Sequence, residues 1–106
     1  MGFFDKLRGV DINQLMDVYS ATEKAMLLDV RTPGEFGSGH IPGSKNVPLD
    51  IIDHIGYEIA EKDVPLFVYC HSGARSRAAA KRLKNLGFSS VTDMGGIISY
   101  SGKLEK

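Results

Sequence analysis

The chain has 106 residues and a mass of 11.6 kDa, with 42% hydrophobic and 25% charged residues, one cysteine and no tryptophan. A chain of that size buries roughly two-thirds of its unfolded surface, so one domain over residues 1–106 is expected without metal or disulfide staples, and a lone cysteine excludes an internal disulfide. Thirteen Lys and Arg balance thirteen Asp and Glu, which argues against bulk attraction to nucleic acid or to an anionic membrane.

The opening Met1-Gly2-Phe3-Phe4-Asp5-Lys6 has too short an apolar stretch, and an acid inside it, for a secretion signal. Lys6 stands where N-myristoylation needs Ser or Thr. No apolar run reaches membrane-spanning length, so the expected setting is soluble, reducing and cytoplasmic. Val10-Asp11-Ile12 is read as a short edge strand, overlapping the start of a helix over Asp11–Ser20 that places Leu15, Met16 and Val18-Tyr19 near helical spacing. Ala25–Val30 and Pro65–Cys70 are short apolar runs without clean alternation, the pattern of strands covered on both faces. Between them, Thr32-Pro33-Gly34 and Ile41-Pro42-Gly43-Ser44 read as turns, and Leu49–Glu61 as a helix carrying Ile51, Ile52, Ile55, Ile59 and Ala60 close to intervals of four. Ala74–Leu86 is the firmest helix, with Gly87 as its stop, and Ser89–Met94 a weaker strand. Strands alternating with helices define an α/β domain, a central and largely parallel sheet flanked by helices on both faces.

Ligands of such sheets bind beyond the carboxyl ends of strands, and Cys70 ends one. His71-Ser72-Gly73-Ala74-Arg75-Ser76 then leads into a helix. A strand, a cysteine, a short loop and a helix aim successive backbone N–H groups at the space above the sulfur. Gly73 permits a conformation that a side chain resists, Arg75 and a protonated His71 would bring positive charge (His71 reads equally well as an exposed loop residue), and Ser72 and Ser76 bring hydroxyl donors. Each of these favours a thiolate. Raising a free thiol from a few per cent thiolate to about three-quarters at pH 7 takes about 2.7 kcal/mol, whereas one helix N-terminus contributes about 0.3–2 kcal/mol. Several groups must therefore share the work. The bland alternative is a small buried hydrophobe finishing a strand; the loop that follows favours a nucleophile.

With Cys70 placed, two blocks of the sequence resemble the rhodanese family of sulfurtransferases. One is Leu28-Asp29-Val30-Arg31-Thr32-Pro33-Gly34-Glu35-Phe36, continuing to Gly39-His40-Ile41-Pro42-Gly43-Ser44-Lys45-Asn46-Val47-Pro48. The other is Val68-Tyr69-Cys70-His71-Ser72-Gly73-Ala74-Arg75-Ser76, with Met94-Gly95-Gly96 resembling the Gly-Gly after the last strand of the family. The resemblance covers residues 10–101 and implies a rhodanese-like fold. It implies a sulfurtransferase, carrying a sulfane sulfur from a donor such as thiosulfate to cyanide or a thiol through a Cys70 persulfide. By the same resemblance, His71, Ser72, Gly73, Ala74 and Ser76 belong to the cradle and Arg75 steers the donor anion. Asp29 and Arg31 are implied as supporting residues. Cys70 to Arg75 is Cys-x4-Arg, one residue shorter than the Cys-x5-Arg of cysteine phosphatases, which favours sulfur over phosphate or arsenate. The remaining alternative is a sulfur-relay or partner-docking module with low turnover, working with a thioredoxin-like or sulfur-carrier protein. Tyr100 departs from the family where Trp is common.

Other residues have plainer readings. His40 is expected to fix a turn, His54 to lie in a helix, and Asp29 and Arg31 to pair, since a lone buried charge is costly. Arg75, Arg77, Lys81, Arg82 and Lys84 make one helix basic, but without interleaved aromatics this reads as a solvated face rather than a nucleic-acid surface. Three His and one Cys at these spacings form no metal site, and no cofactor motif is present: Pro42 stands where a dinucleotide fingerprint needs its third Gly.

Overall fold

The computed structural model describes residues 10–106; the reading of Met1–Lys6 lies outside them. Helix α1 (Ile12–Ser20) is followed by strand β1 (Met26–Asp29), helix α2 (Pro33–Ser38) and the two-residue strand β2 (Lys45–Asn46). A 3₁₀ helix (Leu49–His54) runs into the single turn α3 (Ile55–Glu58). Strand β3 (Leu66–Cys70), helix α4 (Ala74–Asn85) and strand β4 (Val91–Gly96) complete the sheet, and a 3₁₀ turn (Ile97–Ser99) follows it. The sheet is parallel throughout, in the order β2-β1-β3-β4.

Alternation along the strands splits the core in two. Leu28, Val30, Leu66, Val68 and Cys70 face Ile52, Ile55, Ala79, Ala80 and Leu83 from the 3₁₀ helix, α3 and α4. Leu27, Phe67, Tyr69 and Met94 face Ile12 and Leu15 of α1. Helices therefore cover both faces, as the apolar strand runs require. Among the described residues no helix is long and apolar enough to cross a membrane.

Three elements differ from their sequence reading. There is no strand at Val10–Ile12: Asp11 is the N-cap of α1, its carboxylate accepting from Gln14 N while the Gln14 side chain accepts from Asp11 N. This capping box starts the helix at Ile12 and turns that side chain into the core. Within Leu49–Glu61 the first turns are 3₁₀ rather than α. Three-residue spacing brings Ile52 and Ile55 into the core and leaves Ile51 45% exposed, replacing the stripe of four-residue spacing. Thr32-Pro33-Gly34 opens α2, with Thr32 as N-cap, Pro33 in the first turn and Glu35 closing a second capping box. By contrast, the end of α4 follows its signal. Gly87 has φ of 102°, its N–H donates to Lys84 O, and Phe88 N donates to Leu83 O, the paired bonds of a Schellman stop.

Candidate active site

The chain runs from β1 outward to β2, then returns past β1 to add β3 and β4 on the other side. Strand order thus reverses between β1 and β3, and the segments leaving their carboxyl ends diverge around a crevice. From β1 that crevice receives Val30, Arg31, Thr32 and α2; from β3 it receives Cys70 and the loop to α4.

Cys70 is 1% exposed, with its side chain in the core cluster below the loop. Its sulfur accepts a hydrogen bond from Gly73 N at 3.0 Å. Gly73, at φ 113°, is the left-handed N-cap residue of α4, a conformation costly for any residue with a β-carbon. The first backbone bond of α4 runs from Arg77 N to Gly73 O, so the amides of Ala74, Arg75 and Ser76 have no acceptor on the helix. They belong to the same N-terminal turn that Gly73 opens above the sulfur. His71, Ser72 and Ala74 are exposed, whereas Ser76 is buried and its hydroxyl donates to Gly73 O at 3.1 Å. The Ser76 side chain thus braces the loop from below.

The loop rests on the end of β4. Opposite Val68 and Tyr69 the register slips by one residue, so that Gly95 and Gly96 face Tyr69 and Cys70, the effect of a bulge at Met94. Ile98 N also donates to His71 O, tying the start of the loop to the same segment. Tyr100 packs against the α1 face of the core.

Beneath the crevice lies a buried polar network. Arg31 and Asp29 form an ion pair, Nη2 to Oδ2 at 2.7 Å, at 6% and 0% side-chain exposure. Arg31 Nε and N also donate to Asp29, and Nη2 reaches Gly39 O at 2.7 Å. Burial works against the Arg31 charge, and the hydrogen bond and charge of Asp29 outweigh it, leaving the guanidinium pKa above its usual value. The pair and its bond to Gly39 O clamp the segment after β1. Tyr69, wholly buried, accepts from Ile41 N at 3.1 Å and meets Ser44 Oγ at 3.0 Å; burial pushes its phenol up to about 12. His40 stacks on Phe36 and its Nδ1 lies 2.9 Å from Phe36 O, the turn-fixing role expected of it.

Arg75 does not stand open to the crevice. Its Nη1 and Nη2 donate to Glu35 Oε1 at 2.6 Å and Oε2 at 2.9 Å, which raises its pKa. The same hydrogen bonds, helped by those from Thr32, bring the Glu35 carboxyl down to about 2. Glu35 is the residue that reading from spacing alone passed over; its signal was Thr-Pro-x-Glu, a capping box with proline in the first turn. Arg75 also borders an open cleft of about 450 Å³, lined with Val30, Thr32, Pro48, Leu49, Asp50 and Arg82. Arg82 of the basic helix is paired with Asp53.

An open parallel sheet thus carries, at its strand-order reversal, a buried cysteine whose sulfur accepts from the amide of the glycine that opens the next helix. The family model of the rhodanese-like domain matches residues 12–102, and the chain belongs to that family. It is 37% identical over 93 residues to a sulfurtransferase of Allochromatium vinosum, covering 87% of this chain and 86% of that one. It is 35% identical over 89 residues to the thiosulfate sulfurtransferase GlpE of Pseudoalteromonas translucida, covering 79% and 84%. A putative sulfur carrier protein of Bacillus subtilis, YrkF, is 37% identical over 84 residues. The chain spans only 45% of YrkF, and 65% of the 39%-identical protein YqhL from the same organism. Among solved structures, a rhodanese with anions from E. coli superposes with TM-score 0.71 at 28% identity, covering 77% of this chain and 98% of that one. Fold and family agree with the resemblance read from the sequence.

Proposed function

We propose that the chain carries a sulfane sulfur as a persulfide on Cys70, taking it from a donor such as thiosulfate and passing it to cyanide or a thiol. The Cys70 thiolate attacks the outer sulfur of thiosulfate. The new S–S bond forms as the old one breaks, and its electron pair leaves with sulfite. A nucleophilic acceptor then attacks the outer persulfide sulfur and returns Cys70 as thiolate. No redox partner or cofactor is needed, because the sulfane sulfur keeps its oxidation level.

The observation that carries this reading is the bond from Gly73 N to Cys70 Sγ at 3.0 Å, at the start of a helix whose first amides lack helical acceptors. Donors fixed before reaction stabilise a thiolate, a persulfide anion and the developing charge alike. In this reading the backbone of His71, Ser72, Gly73, Ala74 and Ser76 is the cradle. Arg75 receives the donor anion, and Asp29 and Arg31 hold the β1 side of the crevice in place. A reducing compartment such as the cytoplasm would keep the thiol available.

The thiosulfate sulfurtransferase and sulfur-carrier relatives support the donor class and a protein acceptor, respectively. Thiocyanate formation from thiosulfate and cyanide is expected, lost in Cys70→Ser and shifted to higher KM in Arg75→Ala. Should small molecules turn over poorly while a cysteine desulfurase loads Cys70, the relay reading holds, with a thioredoxin-like or sulfur-carrier protein as acceptor. Hydrolysis of an aryl phosphate that depends on Cys70 would point instead to a phosphatase or arsenate reductase.

A further inference from the structure

Arg75 closes the loop that begins at Cys70, and both arms of its guanidinium are already taken by Glu35. The carboxylate does not simply drift onto the arginine. Glu35 Oε1 also accepts from Thr32 N at 3.0 Å and from Thr32 Oγ1 at 3.1 Å, while Thr32 Oγ1 caps Glu35 N. The capping box of α2 therefore presets Glu35 against Arg75 before any ligand arrives. The two side chains remain 33% and 35% exposed, within reach of solutes. A bidentate pair of this kind has no net charge and uses the two facing N–H groups of the guanidinium, so the crevice offers an anion less positive charge than its arginine suggests.

We propose that Glu35 sets donor specificity at the Cys70 site, by making an anionic donor compete with its carboxylate for Arg75. This rests on the sulfur-transfer reading above. A small dianion must displace Glu35 or bind beside an arginine whose charge that carboxylate already neutralises. A donor that presents a persulfide without a second charge at that position does not face this competition. Glu35 acts through Arg75 and is a positioning residue rather than a catalytic one.

Glu35→Gln tests this, because glutamine also serves a capping box and removes only the charge. Two readouts are needed: the KM and kcat for thiosulfate, and the rise in melting temperature with sulfate over sodium chloride at matched ionic strength. Ligand binding to the folded state raises stability by mass action, so the second readout needs no turnover. In Glu35→Gln the KM should fall roughly three- to tenfold, the range expected for freeing one charged hydrogen-bonding group, with kcat within about twofold. Sulfate should raise its melting temperature more than that of the wild type, and Glu35→Gln/Arg75→Ala should lose the gain. An unchanged or higher KM, or a sulfate shift equal to that of the wild type, overturns the proposal. Where neither protein turns over thiosulfate, the sulfate shift alone decides the role of Glu35, and it is the sulfur-transfer reading that has failed.

Discussion

Gly96 stands directly behind Ser72: a β-carbon on Gly96 would lie 2.6 Å from the Ser72 α-carbon and would collide with the His71 carbonyl. Both obstacles are backbone, so neither can swing away as a long side chain would. The loop over Cys70 is therefore shaped from outside by the backbone of β4. Gly96→Ala should push the loop off its seat, lowering the rate of sulfur loading at least tenfold. Overpacking of this kind costs about 1–3 kcal/mol of stability. Loading kinetics together with a denaturation curve check this; a native rate would mean that the loop is not held by the contact.

The buried pair of Asp29 and Arg31 predicts an asymmetric mutational response. Asp29→Ala leaves the Arg31 guanidinium, 5% exposed as a residue, without its counter-charge, and is expected to cost about 3–5 kcal/mol. Asp29→Ala/Arg31→Met removes both charges and should recover part of that loss. Urea unfolding of the two variants and the wild type measures the difference. Equal stabilities for the single and double variants would contradict a desolvated pair.

The ion pair of Glu35 and Arg75 has its own pH signature. The Glu35 carboxyl sits at about 2 in the folded chain against 4.5 when unperturbed, so between those values the unfolded state binds more protons. Stability from this group is then complete above pH 4.5 and is lost as pH falls toward 2. The difference in melting temperature between wild type and Glu35→Gln should be constant from pH 7 to about 5 and shrink below that. Ion pairs elsewhere, including that of Arg82 with Asp53, are common to both proteins and cancel. A difference that persists to pH 2 would deny the pairing.

What could be read in advance follows a physical divide. Strands β1 and β3 were visible because a strand buried on both faces must be apolar at nearly every position, as at Leu27-Leu28 and Leu66–Cys70. The end of α4 was visible because Gly87 occupies a conformation that other residues avoid. Cys70 and its loop could be found because strand, cysteine, glycine and helix are contiguous in the chain. Strand β2, two residues long, carries no pattern of its own and exists through pairing with β1. The choice of 3₁₀ over α at Leu49–His54 was settled by which isoleucines reach the core. The contact of Arg75 with Glu35 spans 40 residues and depends on the reversal of strand order between β1 and β3. Only the local half of it, the Thr32–Glu35 capping box, was written in the sequence.

The central claim, that Cys70 carries the sulfur, is tested most directly by the intact mass of the protein under non-reducing conditions. Wild type and Cys70→Ser would each be incubated with thiosulfate and, separately, with a loaded cysteine desulfurase, then freed of small molecules. The wild type should gain the mass of one sulfur atom with at least one donor and lose it on addition of cyanide, while Cys70→Ser gains none. A wild-type mass unchanged by both donors, or an equal gain in Cys70→Ser, would contradict the account.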